Sequence, residues 1–180
     1  HVTGQRADGY HLLDSLVVFA DVADRLWFEE GPQMRITVTG PFAQGVPSDA
    51  RNLIWQAAEL AGWTGHIRLE KNLPHGAGIG GGSSDAAAVL RMFGGAERAL
   101  MLGADVPVCL DMTPQRMRGI GEMLEPLTPL PELETVLFLP DCSQSRMPQC
   151  LTTCLISKRL KSFVTGCKHN AMTWNRLHVK

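Results

Sequence analysis

The 180-residue sequence has no apolar run near the ~20 residues that a membrane-spanning helix needs. It has no internal repeat and no low-complexity segment, and no signal peptide opens it. These absences leave an ordinary globular chain as the expectation, with a cytoplasmic location and no membrane partner. Its first residue is His1 rather than Met, so the beginning of the natural protein is expected to lie upstream. Cysteine is nearly missing before Pro140, where Cys109 stands alone in an apolar context that suits core packing. Paired C-x2-C spacing is absent throughout, which argues against a zinc knuckle.

Net charge is also small, at −1, but it is unevenly spread. Through Pro140 there are 10 Lys and Arg against 17 Asp and Glu, whereas from Asp141 onward there are 7 against Asp141 alone. The remaining four cysteines, Cys142, Cys150, Cys154 and Cys167, all fall in that basic tail. Its aromatics are limited to Phe163 and Trp174, too few for base stacking, so no nucleic-acid partner is expected. The abrupt change of charge and cysteine content is what a shift of reading frame would produce, and the chain divides into residues 1–140 and an unmatched tail, 141–180.

The first 140 residues read as α+β. "LDSLVVFA", "RLWFEE" and "MRITVTG" have strand character, the last alternating Met34, Ile36 and Val38 against Arg35, Thr37 and Thr39. "SDARNLIWQAAELAG" predicts a helix with Ser48 or Asp49 as N-cap, Leu53, Ile54, Ala57, Leu60 and Ala61 on one face, and Gly62 as the stop. "HIRLEKNL" alternates again, "SSDAAAVLRMF" predicts a helix ending at Gly94 and Gly95, and "TVLFLP" one more strand. The alternation implies sheets with one wet face and mainly antiparallel pairing.

Between a strand and a helix lies "LPHGAGIGGGSSDAAA", Leu73 to Ala88. It is not a Walker A loop, because Ser83, Ser84 and Asp85 follow the last glycine where Lys and Ser or Thr are needed. Gly76, Gly78 and Gly81 satisfy G-x-G-x-x-G, but the preceding strand is broken by Arg68, Glu70, Lys71 and Asn72, unlike the apolar strand of a dinucleotide-binding unit. Closely spaced glycines let backbone amides approach an anion, and the helix that follows adds its positive dipole end. The stretch therefore predicts a phosphate site. Ser83 or Ser84 offers a hydroxyl to phosphate or Mg2+, or else an N-cap, and Asp85 reads as a first-turn acid that favours the dipole.

This stretch closely resembles the second conserved motif of the GHMP kinases, which wraps the ATP phosphates. "RADGYHLLDSL" (Arg6 to Leu16), "LGADVPVCL" (Leu102 to Leu110) and "RGIGE" (Arg118 to Glu122) narrow the resemblance to the branch of that family acting on 4-diphosphocytidyl-2-C-methyl-D-erythritol, a step of non-mevalonate isoprenoid biosynthesis. The resemblance covers most of residues 1–140. It implies the N-terminal lobe of a two-lobed α+β kinase (a ribosomal protein S5 domain 2-like fold), with the second lobe missing or replaced.

By position, the resemblance implies an ATP site at Pro74, His75, Gly76, Ala77, Gly78, Ile79, Gly80, Gly81, Gly82, Ser83 and Ser84. Mg2+ arrives with ATP and is held by no protein cluster, with Ser84 as a candidate ligand. Asp105 matches the catalytic aspartate that accepts or orients the proton of the substrate hydroxyl, and Tyr10 and His11 match the residues that contact cytosine. The expected activity is ATP-dependent phosphorylation of the substrate's 2-hydroxyl, the alternatives being a non-catalytic ATP-binding fragment or another GHMP small-molecule kinase. Departures stand beside these matches. The family's Lys- and Asn-bearing first strand precedes "HVTG", the stretch from Leu90 to Leu102 is short, and neither the third glycine-rich motif nor an aromatic partner for Tyr10 has a counterpart after Pro140.

Overall fold

The computed structural model describes residues 2–20 and 22–127, and beyond them the backbone of three short strands. The chain order is β1 (Val2–Gln5), β2 (His11–Val17), β3 (Arg25–Glu30), β4 (Arg35–Thr39), α1 (Leu53–Leu60), β5 (Gly65–Glu70), α2 (Gly81–Phe93), β6 (Gln115–Gly119) and β7 (Met123–Pro126). Short 3-10 segments, Ala96–Met101 and Pro107–Leu110, link α2 to β6. The later strands, β8 (Glu134–Val136), β9 (Leu155–Ile156) and β10 (Arg176–His178), pair antiparallel in the order β10-β8-β9. "TVLFLP" thus contains part of β8, while the expectations for most of residues 141–180 lie outside the described residues.

Two sheets carry the rest, in the orders β1-β2-β6-β7 and β3-β5-β4. Every pairing within them is antiparallel except β4 with β5, which run parallel. That departure follows from α1, because a crossover helix between β4 and β5 returns the chain in its original direction. Period-2 alternation decides what each strand buries. In β5, Ile67 and Leu69 are buried between Phe28 and Ile36 and between Leu26 and Val38, whereas Arg68 points away and lies over the Trp27 ring.

The two helices cover the inner face. Ile54, Ala57 and Ala58 of α1 and Ala86, Ala87, Val89 and Leu90 of α2 join Ile36, Ile67, Leu69, Val106 and Met117 in one core. Alanine at these positions lets the helices approach closely, and fully burying a side chain such as Leu90 is worth about 1.5–3 kcal/mol. Phe28, Trp63 and Phe93 form a second cluster, with Trp63 stacked on Phe93 at 4.8 Å and Phe28 edge-on to both. It fastens the end of α2 and the α1–β5 turn to the sheet. Cys109 packs in the core, where burial pushes its thiol up to about 11.

Two helix starts differ from expectation. In α1 the cap is Asn52, not Ser48 or Asp49: its Oδ1 accepts from the Ile54 amide at 3.0 Å and its Nδ2 donates to the Pro47 carbonyl at 2.7 Å. The Asp49 carboxylate is engaged instead by the amide and guanidinium of Arg51, which holds the preceding turn. In α2 the cap is Gly80, at φ 76° and ψ 10°, with no side-chain capping bond, and the helix begins at Gly81. Ser83 and Ser84 are therefore inside the first turn rather than capping it.

Candidate active site

The glycine loop leaves β5 and enters α2 over a cleft of about 350 Å3. Pro74 through Ser83 all line it, and Ser84 does not. Gly76, Gly78 and Gly80 take φ values of 72°, 71° and 76°, a left-handed backbone that only glycine adopts at little cost. Because no side chain caps α2, its leading amides and the positive end of its dipole are presented to the cleft without a carboxylate or hydroxyl acceptor supplied by a capping residue. The far wall comes from the start of α1, through Arg51, Asn52 and Leu53.

Asp105 lines the same cleft and is exposed. The connection that looks short in sequence reaches it by a tight route. Gly94 and Gly95, at φ 100° and 89°, end α2 and start the first 3-10 segment, and the turn at Asp105 follows directly. Arg91 Nη1 donates to the Cys109 carbonyl at 2.5 Å, tying that turn region back to α2. Tyr10 and His11 stand elsewhere, at the turn between β1 and β2, where the Arg6 amide donates to the Tyr10 carbonyl at 2.8 Å. Tyr10 is 55% exposed, and neither residue lines this cleft.

The floor of the cleft holds a group that sequence reasoning missed. Lys71 is 3% exposed, and its Nζ lies between two buried carboxylates, donating to Asp24 Oδ2 and, at 3.0 Å, to Asp85 Oδ2. Asp24 Oδ1 accepts in addition from the amides of Asn72 at 2.6 Å and Leu73 at 2.8 Å, the residues that open the loop. One cluster thus joins the β2–β3 connection, the end of β5 and the second turn of α2. Gly40 must pass over it: at φ 98° its missing Cβ would lie 2.6 Å from the Lys71 carbonyl oxygen. Asp85 is therefore not a first-turn acid serving the dipole, since α2 has no acid in its first turn. Burial pushes its carboxyl up to about 7; Lys71 opposes that rise and the neighbouring Asp24 adds to it.

Lys71 carried a legible signal. It continues the inward series Ile67, Leu69, Lys71 at period 2, so an inward-facing lysine was implied once β5 was assigned. Its partners, 47 and 14 residues away, were not. At the rim, Arg51 and Asp49 form a bidentate pair at 2.8–3.2 Å, which holds the Asp49 carboxyl down at about 2. Among the described residues no three His, Cys, Asp or Glu side chains come together as a metal site, and no helix is long and apolar enough to cross a membrane.

Residues 52–110, from the α1 cap through the loop and Asp105, match the family model described as the GHMP kinases N terminal domain. The chain is 57% identical over 141 residues to a 4-diphosphocytidyl-2-C-methyl-D-erythritol kinase of Paracoccus denitrificans, covering 78% of this chain and 51% of that protein. It is 54% identical over 148 residues to the kinase of the same name from a Jannaschia species, covering 76% and 52%. A crystal structure of a 4-(cytidine 5'-diphospho)-2C-methyl-D-erythritol kinase superposes with a TM-score of 0.60 at 38% identity, covering 82% of this chain and 56% of that one. The chain spans about half the length of the curated relatives it matches. It belongs to the GHMP kinase family, and residues 2–127 carry the N-terminal fold of those kinases.

Proposed function

We propose that the cleft beneath the glycine loop binds the phosphates of ATP, and that the protein to which this chain corresponds phosphorylates the 2-hydroxyl of 4-diphosphocytidyl-2-C-methyl-D-erythritol. The observation that carries the reading is the shared cleft: an uncapped helix start, a run of left-handed glycines and Asp105 all border one cavity. Phosphoryl transfer asks mainly for positioning and charge stabilisation. In this reading the residues from His75 to Ser83 hold the phosphate chain through backbone amides, while Pro74, which has no N–H, lines the entry to the loop. Ser83 is the member of the serine pair that lines the cleft, and Asp105 accepts or orients the proton of the attacking hydroxyl. Mg2+ bound with the nucleotide supplies neutralisation of phosphate charge; Ser83 and Asp105 are the cleft residues with side-chain oxygens outside the Lys71 and α1-cap contacts.

Tyr10 and His11 take the cytosine end of the substrate in this reading, Tyr10 by ring stacking and His11 by hydrogen bonding. Their exposure on the β1–β2 turn is compatible with a ligand contact. A cytoplasmic location goes with ATP as substrate. The division at residue 140 and the frame-shift origin of the tail stay part of the proposal, and sequencing the DNA across the Pro140 codon tests them.

A second reading, a fragment that binds ATP without turnover, is favoured by the cleft's buried lysine, Lys71, whose charge is already taken up by Asp24 and Asp85. Titrating ATP with Mg2+ during thermal unfolding, followed by a product assay, separates the two. A ligand that binds only the folded state raises the melting temperature by mass action. A shift with product supports the kinase, a shift without product supports the binding fragment, and no shift refutes the phosphate site. For the kinase, Asp105→Asn abolishes product while the ATP-induced shift persists.

A further inference from the structure

The phosphate-site reading leaves an electrostatic gap. ATP is a polyanion, yet the lysine on the cleft floor is already neutralised by Asp24, with Asp85 a second partner, and is 3% exposed. Among the described residues, the only other Lys or Arg lining the cleft is Arg51. Its side chain is 78% exposed, it belongs to the turn that leads into α1, and its guanidinium forks onto Asp49. An ion pair so exposed contributes little stability, so the guanidinium can leave its carboxylate for a better acceptor at little cost. A phosphate is such an acceptor, because two parallel N–H···O bonds match its geometry as well as they match a carboxylate.

Resting on the ATP-phosphate reading above, we propose that Arg51 is a nucleotide-binding residue held in reserve on Asp49, and that it transfers its bidentate contact to the phosphate chain when nucleotide enters the cleft. Asp49 is then a competitor that sets how strongly Arg51 is available. The exchange explains why a residue bordering the phosphate cleft carries an exposed acid two positions earlier. It also assigns α1 a part in binding beyond packing: its capped start fixes the backbone from which Arg51 reaches the cleft.

The test uses the full chain and isothermal calorimetry with ATP, inorganic tripolyphosphate and adenosine, each at low and high salt. Arg51→Gln weakens ATP and tripolyphosphate by about 5- to 10-fold, flattens their salt dependence and leaves adenosine unchanged. Asp49→Asn keeps an oxygen for the Arg51 amide but removes the competing charge, and it tightens both anions by about 2- to 5-fold. The double variant binds like Arg51→Gln alone. Failure of the unsubstituted chain to bind ATP or tripolyphosphate overturns the phosphate-site reading and this inference with it. Phosphate binding that Arg51→Gln leaves intact overturns the inference alone, as does an equal loss of adenosine affinity or a weakening by Asp49→Asn.

Discussion

Replacing Asp85 by asparagine tests the buried cluster through its charge. Asp85 is 7% exposed, it accepts a hydrogen bond from Lys71, and burial holds its carboxyl at about 7 rather than the ordinary 3.8. A carboxyl whose folded pKa is raised contributes stability that is fully present below the unfolded value and is lost as pH rises through the folded value. The window therefore runs from about pH 4 to pH 7, with the chain less stable at the upper end on account of this group. At about 1.4 kcal/mol per tenfold change in proton affinity, the full rise corresponds to roughly 4 kcal/mol, a large share of the stability of a small domain.

An asparagine side chain is isosteric with aspartate, keeps an oxygen for Lys71 and never ionises. Asp85→Asn therefore gains about 2–4 kcal/mol relative to the parent when both are moved from pH 5 to pH 8. Urea unfolding followed by tryptophan fluorescence at the two pH values measures it, and comparing the two proteins cancels the titration of all other groups. Parallel pH dependence of the two proteins would refute the assignment, because Asp85 would then be ionised throughout and Lys71 would carry two negative partners.

The other expectations follow from the same region. Lys71→Met removes the cation from two buried carboxylates and destabilises the chain by about 3–5 kcal/mol in urea unfolding at pH 8, with a smaller loss at pH 5 where Asp85 is protonated. Gly40→Ala drives a methyl into the Lys71 carbonyl at a left-handed φ and costs about 2–3 kcal/mol, read as a lowered melting temperature. Leu90→Ala opens a cavity where α2 meets the core and costs about 2–5 kcal/mol by denaturant titration.

The sequence alone determined the local parts, because they rest on short-range physics. Period-2 alternation located β4 and β5, apolar spacing located α1, the helix-favouring run of alanines located α2, and Gly62 and Gly94 marked the helix ends. Five glycines within seven positions marked the loop that leads into α2 and borders the cleft, and three of them, Gly76, Gly78 and Gly80, take the left-handed backbone that glycine tolerates most readily. Tertiary structure decided what depends on distant partners. Asp49 looked like a helix cap, but Arg51 engages it, and Asn52, anchored to Pro47, takes the cap. Lys71 read as a polar interruption and Asp85 as a helix-dipole acid, until the pairing of β5 with β4 and the packing of α2 on the sheet set them against each other and against Asp24. The charge of a buried group depends on what surrounds it, and those surroundings are assembled from segments that sequence order keeps far apart.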